Sequence, residues 1–398
     1  MKIEPRTLKG FRDFLPKEAL KRQYVIETLR RVFESYGFEP LETPALEYED
    51  ILLGKYGEEG DKLMYRFEDN GQRRVALRYD QTVPLARVVA QYQNELPFPF
   101  KRYQIQNVWR ADNTQKGRFR EFLQCDIDTV GEQSIGCDAE IIAIVDKSLR
   151  TLGFENFRIL INDRKNFEGV DSAAILTIDK LKKIGAEGVK QELREKGFDE
   201  NLLTQIQEKE ASQLIQILLN NQDYTGNKTI YEPTLARGLN YYTGLIIEVE
   251  IEGFDAGSVG GGGRYDNLIG MFANQSIPAV GFAFGFDRLM EAMDEQGLFP
   301  ENLSTTKVLV TVPTKELENL AISISSRLRS NNINTEVYLD NNAEMTKQYK
   351  YAEKKGIPYV IVPIDEQAVE LRTKSNDGNI NKENTTTDQL PSLILRTQ

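Results

Sequence analysis

Residues 108–128 read VWRADNTQKGRFREFLQCDID, and the rest of the chain can be arranged around them. The two ends of this stretch predict strands. Its middle predicts an exposed turn, because small polar residues and glycine favour turns. The basic residues of the turn and its borders are Arg110, Lys116, Arg118 and Arg120, and the nearby acid is Asp112. The stretch therefore predicts two strands joined by a basic loop.

The returning strand alternates with a period of two, as a half-buried strand does. The residues of the face expected to join the core are Leu123, Cys125 and Ile127. The residues of the opposite face are Phe122, Gln124, Asp126 and Asp128. One aromatic ring and three polar groups beside an arginine-rich loop suit a flat base, a polyphosphate and a small polar substrate. A surface hairpin with a solvated face explains the same pattern, so this stretch alone leaves both interpretations open.

Length and composition indicate a globular protein of two or three domains, since 398 residues allow a substantial core. No run approaches the length of a membrane span, and the first residues lack the apolar stretch of a secretory signal. Two cysteines are too few for a disulfide framework or a structural zinc site. We therefore expect a cytoplasmic protein without a membrane partner. The net charge of −11 means that any RNA contact would come from local basic patches.

The sequence contains no histidine. This excludes Ser-His-Asp and Cys-His catalysis, histidine-ligated metals and imidazole general bases. Arginine, carboxylate, hydroxyl and backbone groups remain. Phosphate-anhydride and nucleotidyl chemistry is the large class of reactions that such groups catalyse, because electrostatic stabilisation dominates it.

The residues before the basic loop predict a helix over 17–36 and a strand over 38–41, and Pro40 favours a sheet edge for that strand. A helix followed by an edge strand suits a dimer interface, and core packing explains the pattern equally well. Residues 62–68 and 73–79 predict a second hairpin.

Asp80 and Thr82 lie at a predicted strand-to-helix junction after this second hairpin. Polar side chains at such junctions often face a ligand, and they are also ordinary helix caps. Helix capping is the favoured interpretation on these two residues alone. Farther on, residues 138–151 predict a helix and residues 157–161 a strand.

The middle of the chain changes character at about residue 170. Residues 170–228 predict short amphipathic helices without strand signals, which indicates a small helical insertion. Residues 233–250 then predict a glycine-bearing turn that presents Arg237, Tyr241 and Tyr242 ahead of a strand.

Four consecutive glycines at 260–263 allow a backbone to approach a ligand closely. As a nucleotide-binding motif they are weak, because they lack the lysine and the spacing of the common phosphate loops. Residues 277–292 predict a strand leading into a helix, with Arg288 in the first helical turn. A cation there opposes the helix dipole, which favours a ligand phosphate over a solvated arginine.

Residues 300–306 predict a domain boundary, beyond which strands and helices alternate. The predicted strands are 307–312, 335–339, 358–363 and 367–373, and the predicted helices are 315–330 and 344–355. Such alternation predicts parallel pairing. Residues 375–387 predict a mobile polar loop.

The helix over 344–355 carries a basic face interleaved with aromatic residues. Its lysines are Lys347, Lys350, Lys354 and Lys355, and its tyrosines are Tyr349 and Tyr351. Such a face suits RNA. A solvated helix with snorkelling lysines is the favoured interpretation of the helix by itself.

With these motifs placed, the chain resembles the class II aminoacyl-tRNA synthetases, and within them the histidyl-tRNA synthetases, over nearly its whole length. The class motifs are matched by the first helix with residues 38–44, by 108–128 and by 277–289. The family-specific matches are ARGLNYYTG at 236–244 and GGGRYD at 261–266. The stretches LRYDQTVPLAR at 77–87 and REFLQCDID at 120–128 fit the branch that uses aspartates where other members use glutamates. The last domain resembles the family's anticodon-binding domain, best at TKQYKYA, residues 346–352.

The resemblance implies a role for each matching residue. The implied ATP contacts are Arg110, Asp112, Arg118, Arg120, Phe122 and Arg288, with Phe122 and Arg288 on the two sides of adenine. The implied histidine contacts are Asp80, Thr82, Arg110, Gln124, Asp128, Arg237, Tyr241 and Tyr242, with Asp128 and Tyr242 reading the imidazole. The implied catalytic residues are Arg237 and Arg110. The expected tRNA contacts are Lys116, Lys347 and Lys350.

The resemblance also implies the architecture and the reaction. We expect an α+β catalytic domain on a mostly antiparallel sheet over residues 1–304, with the helical insertion at about 170–228. An α/β anticodon-binding domain with a mostly parallel sheet would follow over residues 305–398. The implied activity is ATP-dependent ligation of L-histidine to tRNA(His) through a histidyl-adenylate, with Mg²⁺ bound with ATP, no metal held by the protein itself, and a homodimeric enzyme.

Two other functions share parts of this pattern. The synthetase-like regulatory subunit of ATP phosphoribosyltransferase has the same fold but typically a degraded ARGLNYYTG block and no anticodon-binding domain. A glycyl- or threonyl-type synthetase fits the three class motifs but not residues 236–266. The intact block and the additional domain favour the ligase.

Overall fold

The structure is a computed structural model that describes residues 3–55, 57–114, 117–237, 241–301, 303–374 and 379–396. It forms two compact units. The first comprises Met1–Phe14 and Arg22–Leu298, and the second comprises Leu15–Lys21 and Phe299–Gln398. The domain boundary expected between residues 304 and 305 stays a prediction.

The first unit begins with two hairpins and their flanking helices. Its elements up to residue 130 are α1 (Pro16–Ser35), β1 (Glu39–Pro40), β2 (Leu46–Tyr48), α2 (Glu49–Leu52), α3 (Gly57–Lys62), β3 (Arg66–Glu68), β4 (Arg74–Leu77), α4 (Thr82–Gln91), β5 (Phe100–Trp109) and β6 (Glu121–Val130). The start of α1, up to Lys21, belongs to the second unit. The predicted strand, basic loop and strand are thus β5, its connection and β6, which pair antiparallel. The second predicted hairpin is β3 with β4, and β2 completes a small sheet in the order β2-β4-β3.

The remainder of the first unit adds helices and the other strands of a larger sheet. These elements are α5 (Ile135–Thr151), β7 (Phe157–Asp163), α6 (Ser172–Ile178), α7 (Leu181–Glu195), α8 (Leu202–Gln207), α9 (Gln213–Asn220), α10 (Gln222–Thr225), β8 (Thr229–Tyr231), β9 (Leu245–Ile251), β10 (Gly260–Arg264), β11 (Ala279–Gly285) and α11 (Phe286–Glu295). Short 3-10 turns occupy Arg164–Phe167 and Ile269–Met271. Helices α6 to α10 form the expected insertion, and α6 to α8 enclose their own buried apolar cluster.

Eight strands of the first unit form one sheet in the order β1-β5-β6-β11-β10-β9-β7-β8. Among the described residues, its pairings are antiparallel except at the two edges, where β1 pairs with β5 and β7 with β8 in parallel. The sheet is therefore mostly antiparallel, as predicted. Strand β1 lies at an edge, where Pro40 needs no donor in the ladder.

One face of this sheet carries the core. Cys125 and Ile127 are fully buried, as the alternation of β6 predicts. Phe284 on β11 packs against Phe282 at 4.9 Å between ring centroids, and against Phe33 of α1 at 6.4 Å. Helices α5 and α11 also pack on β6 and β11. Because helices cover this face, the polar residues of the alternate positions face the other side.

The second unit contains β12 (Val308–Val310), α12 (Glu318–Ser330), β13 (Thr335–Val337), α13 (Met345–Lys355), β14 (Tyr359–Pro363), β15 (Ala368–Lys374), β16 (Ile380–Thr386) and α14 (Leu390–Arg396), with a 3-10 turn at Lys315–Leu317. Its sheet has the order β13-β12-β14-β15-β16. The βαβ units give parallel pairs among β13, β12 and β14, as predicted. Strands β15 and β16 add antiparallel pairs because short connections reverse the chain, so the sheet as a whole is mixed.

The prediction of a mobile polar loop over 375–387 is wrong for Ile380–Thr386, which forms β16. Residues 375–378 lie outside the described residues. The polar composition of β16 misled the sequence interpretation, since an edge strand exposes both of its faces and needs no apolar alternation. In the part of the chain that the structure describes, no helix is long and apolar enough to cross a membrane.

Candidate active site

The register of the large sheet builds the site on the face opposite the core. Residues directly opposite each other on neighbouring strands share a face. On β5 and β6 the facing pairs are Arg102 with Asp128, Gln104 with Asp126, and Gln106 with Gln124. On β11 and β10 the facing residues are Gly281, Ala283, Gly285, Gly263 and Gly261, and β9 follows with Ile246 and Glu248. The charged and polar strip on β5 and β6 therefore lies beside a strip of glycine and alanine on β10 and β11. Because the second strip has almost no side chains, the surface above it forms a trough.

This trough is part of a pocket of about 390 Å³. Residues predicted from widely separated motifs meet in its lining: Asp80, Thr82, Arg110, Asp112, Arg118, Phe122, Gln124, Asp128, Arg237, Tyr241, Tyr242 and Arg288. The interpretation of β6 as a solvated surface strand is therefore excluded, because its polar face is the floor of a cavity.

Asp128 lies at the charged end of the floor and is already bound on both oxygens. Tyr265 donates a hydrogen bond to its Oδ1, and Arg102 Nη2 lies 2.7 Å from its Oδ2. Burial raises the pKa of Asp128 to about 6, although Arg102 and Tyr265 oppose the shift. Sequence reasoning missed Arg102 and Tyr265 as site residues. The available signals were an arginine on the strand that ends in the basic loop and the place of Tyr265 within the GGGRYD match.

Among the residues that the structure describes, two acceptors beside Asp128 have no hydrogen-bond partner. They are Gln124 Oε1 and Asp126 Oδ1, both buried in the pocket floor. Burial raises the pKa of Asp126 well above its ordinary value, and the nearby charges of Asp128 and Asp80 add to this rise. Buried acceptors normally have partners, so this end of the pocket suits a ligand with several donors.

The junction that carries Asp80 and Thr82 is held against the sheet. Gln81 Nε2 donates to the carbonyl of Gln106 at 2.8 Å and to that of Gln124 at 3.3 Å. Asp80 Oδ1 accepts from the backbone N–H of Val83 at 3.1 Å, which makes it a helix cap. Asp80 therefore accepts from the first turn of α4 and also lines the pocket, and its contact with a ligand stays a prediction.

The other end of the pocket is rich in arginine and aromatic rings. Arg110 donates from Nε to the carbonyl of Tyr79 at 3.0 Å, and its guanidinium lies 5.2 Å from the centre of the Phe122 ring. Arg288 lies in the first turn of α11, as predicted, and donates to the carbonyl of Ser258 at 3.0 Å. Burial and the neighbouring Arg118 lower the pKa of Arg288. Several cations facing one cavity are suited to a polyphosphate.

Arg237 lies over the glycine strip. A Cβ built on Gly261 would fall 1.5 Å from Arg237 Nη1, so the guanidinium occupies the space that a side chain would need. Glu248 Oε2 lies 3.5 Å from the same Nη1. Residues 238–240, which follow Arg237, lie outside the described residues. The absence of a side chain at Gly261 thus leaves the space that the Arg237 guanidinium occupies.

Some predicted site residues lie elsewhere. Arg120 is not part of the pocket lining, and it donates from Nε to the carbonyl of Asp112 at 3.1 Å, which braces the basic loop. Lys116 lies outside the described residues. Lys347 and Lys350 lie on α13 of the second unit, where Lys347 pairs with Asp340 at 3.0 Å and Lys350 is exposed.

The described ranges contain cysteine, aspartate and glutamate side chains, all of which can bind metal ions. Over those ranges, no group of three or more cysteine, aspartate or glutamate side chains could hold a metal ion.

Models of two known protein families match the chain, one mainly in the first unit and the other in the second. The model of the family described as histidyl-tRNA synthetase matches residues 10–222 and 171–289. The model described as anticodon binding domain matches residues 307–396. Together these matches span most of the chain.

Individual relatives agree with the family models. The chain is 41% identical to the histidine–tRNA ligase of Christiangramia forsetii, over 92% of this chain and 94% of that protein. It is 38% identical to the histidine–tRNA ligase of Flavobacterium johnsoniae, over the same shares of the two chains. The crystal structure of histidyl-tRNA synthetase from Nostoc sp. PCC 7120 superimposes with a TM-score of 0.85 at 30% identity, covering all of both chains.

Proposed function

The chain belongs to the histidyl-tRNA synthetase family, and from this premise we propose which parts of its pocket bind histidine, bind ATP and catalyse the reaction. It is an ATP-dependent ligase that joins histidine to tRNA. The observation that carries the proposal is the junction of two unlike ends in one cavity. One end has buried acids and free acceptors, and the other has arginines and an aromatic ring.

The acidic end binds histidine. The substrate's α-ammonium group lies against Asp80, Thr82 and the free Oε1 of Gln124, which together offer acceptors to a cation with three donors. Asp128 accepts from the imidazole N–H, and Tyr241 and Tyr242 form the wall beside the ring. Their own rings are 4.9 Å apart, so the wall is closely packed.

The arginine end binds ATP. Phe122 and Arg288 lie on the two sides of adenine, while Arg110 holds the phosphates together with support from Asp112 and Arg118. Arg120 supports the loop from outside the lining. Mg²⁺ is bound with ATP, because this ion usually binds through substrate phosphates with one or two carboxylates and several waters. When bound, it neutralises phosphate charge, and the described acids have no dedicated cage for it.

Arg237 and Arg110 are the catalytic residues. A carboxylate oxygen of histidine attacks the α-phosphorus, the bond to the bridging oxygen breaks, and pyrophosphate leaves with the electron pair. No protein nucleophile or proton transfer is needed, so positioning and charge stabilisation supply the catalysis. Arg237 lies over the trough between the two ends, where negative charge on the α-phosphate would develop.

Pre-steady-state adenylate formation by Arg237→Ala and Arg237→Lys tests this role. We expect Arg237→Ala to lower the rate about a hundred- to a thousandfold, as for loss of one preorganised donor. Arg237→Lys should recover little, because an ammonium lacks the planar fork of a guanidinium. A less than tenfold loss in Arg237→Ala, or full activity in Arg237→Lys, would show that the arginine is incidental.

ATP–pyrophosphate exchange with each of the twenty amino acids separates the ligase from the regulatory alternative. We expect exchange with histidine alone. The regulatory subunit of ATP phosphoribosyltransferase is the less supported function, because Arg110, Arg237 and both tyrosines are present and the second unit matches an anticodon-binding domain. Histidine binding without exchange would favour that alternative.

The second unit binds tRNA through α13 in this proposal. Lys350 is exposed, and Lys347 can exchange its partner Asp340 for a phosphate because both side chains face solvent. Lys116, outside the described residues, is proposed as a further tRNA contact from the basic loop.

A homodimer is also proposed. The apolar residues of α1, among them Val25, Leu29 and Phe33, are buried within the chain, so core packing accounts for most of that helix. The surface left for a second copy includes edge strand β1 and the sheet β2-β4-β3, where Tyr48 and Phe67 are about half exposed on one face. Light scattering of the purified protein tests this, with Tyr48→Glu expected to shift the mass toward the monomer. The cytoplasmic location stays a prediction.

A further inference from the structure

Arg237 shares its carboxylate partner with a residue of the helical insertion. Glu248 on β9 faces the trough, with Oε2 at 3.5 Å from Arg237 Nη1 and Oε1 at 2.9 Å from Nζ of Lys182 on α7. Lys182 also lies 2.5 Å from Glu250. One negative charge therefore lies between two cations, and one of them is the proposed catalytic arginine.

The insertion also holds the backbone that leads to Arg237. Ala236 is 1% exposed and belongs to the same buried cluster as Ile175 and Ile178 of α6. From the other side, the fully buried Asn162 of β7 donates to the carbonyls of Pro233 and Leu235 at 2.9 and 3.0 Å. The residue before Arg237 is thus held between the sheet and the insertion.

We propose that Lys182 and Glu248 are positioning residues that set how far the guanidinium of Arg237 is available to the α-phosphate. This proposal rests on the proposed role of Arg237. Glu248 orients Arg237 over Gly261, and Lys182 draws part of the carboxylate's charge away from it. Without Lys182, Glu248 binds Arg237 alone and retains the guanidinium against the sheet.

The side chains differ enough in exposure for this competition to be adjustable. Lys182 is 55% exposed, whereas Glu248 is 18% and Arg237 24% exposed. A pair with an exposed lysine adds little to folding stability, so loss of Lys182 should leave the fold intact. Loss of Lys182 should affect Arg237 more than it affects folding stability. The reason is that Glu248 and Arg237 are less exposed to solvent than Lys182, so charges interact more strongly there.

The test is single-turnover formation of histidyl-adenylate by the full chain carrying Lys182→Ala. We expect the rate to fall about 2- to 30-fold, the range of coupling through a linked network. The histidine KM should stay unchanged, since Lys182 is not part of the pocket lining. Lys182→Arg should restore the rate because it keeps the cation. Lys190→Ala is the matched control, because Lys190 lies in the part of α7 beyond the kink at Gly185 and pairs only with the exposed Glu187 at 3.3 Å among the ion pairs of the described residues.

Two further backgrounds distinguish this proposal from the role of Arg237 itself. In Glu248→Gln and in Arg237→Ala, adding Lys182→Ala should change the rate by less than about twofold, because the pathway from lysine to arginine is already broken. An undiminished effect of Lys182→Ala in either background overturns the proposal, as does no effect in the parent enzyme or an equal effect of Lys190→Ala. If Arg237→Ala alone keeps its activity, the catalytic role of Arg237 fails instead.

Discussion

The two strips of the pocket floor lie on the same sheet and differ in the size and polarity of their side chains. On β5 and β6 the three central facing pairs carry polar or charged side chains, including the buried Arg102 and Asp128. On β10 and β11 the facing positions carry glycine or alanine. The first strip carries buried charges and acceptors, and the second leaves space that the Arg237 guanidinium, from another segment, occupies. A site can therefore depend as much on positions without a side chain as on the residues that touch the substrate.

The largest expected effect comes from adding one methyl group to the strip of small residues. In Gly261→Ala the new Cβ would displace the guanidinium of Arg237, the mobile end of a flexible side chain. We expect adenylate formation to fall about a hundred- to a thousandfold, as for loss of Arg237, with the melting temperature little changed. Rapid-quench kinetics and thermal unfolding measure the two effects.

Gly262→Ala is the matched comparison on the same strand. Its Cβ would fall 2.1 Å from the carbonyl oxygen of Gly281, which is backbone and cannot swing away. This variant should lose folding stability by about 1–3 kcal/mol, as overpacked cores do. Equal stability of the two variants would contradict the difference between Gly261, which faces a side chain, and Gly262, which faces the neighbouring backbone.

On the charged strip, Asp128→Ala should raise the histidine KM about 10- to 150-fold, since a hydrogen bond to a charged group contributes about 1.5–3 kcal/mol. The KM for ATP should stay near that of the parent enzyme. Because Arg102 would lose its partner, Asp128→Asn is measured beside it as the variant that keeps the shape and one side-chain oxygen acceptor. Equal damage to both substrates would count against imidazole recognition by this residue.

The same carboxylate gives the charged strip a pH dependence. Burial raises the pKa of Asp128 from 3.8 to about 6, so the folded state binds this proton more tightly than the unfolded state. The proton on this group therefore contributes its full stabilisation below about pH 4. The free energy of unfolding then decreases as the pH rises from about 4 to about 6. The loss is at most about 3 kcal/mol. The raised pKa of Asp126 acts in the same direction.

Urea unfolding of the parent protein and Asp128→Asn across this window measures the effect. We expect the difference in unfolding free energy between the two proteins to change with pH between about 4 and 6 and to be constant above. The chain has no histidine, so no imidazole of the protein titrates in this range. A difference that does not change with pH would mean that Asp128 keeps an ordinary pKa.

The smallest effect is expected outside both strips. Lys350→Ala, on the exposed face of α13, should raise the KM for tRNA about threefold, in line with a single exposed ionic contact. ATP–pyrophosphate exchange should not change, because Lys350 is not part of the pocket lining. Lys354→Ala on the same helix is the comparison variant. A fall in exchange rate would show that α13 affects the pocket itself.

Much of this arrangement could be predicted from local patterns. The alternation of β6 identified its core and pocket faces, and the helix onset after β11 placed Arg288 in a first turn, as found. Spacing also indicated the insertion and the βαβ units of the second unit. Such features depend on residues within a few positions of each other, where periodicity and turn chemistry act directly. The polar strand β16 was not predicted, because pairing with β15 stabilises it and its own composition does not indicate a strand.

The sequence by itself indicated the family, the class of most elements and the predicted residues that line the pocket. Only the tertiary structure decided which of them bind one another. Asp128 is held by Arg102 and by Tyr265, 137 positions away, and Arg237 rests on Gly261 and shares Glu248 with the insertion. These contacts follow from the order β5-β6-β11-β10-β9, which brings distant segments side by side in a fixed register. Since a one-residue shift in register turns every side chain to the opposite face, no local pattern could have specified them.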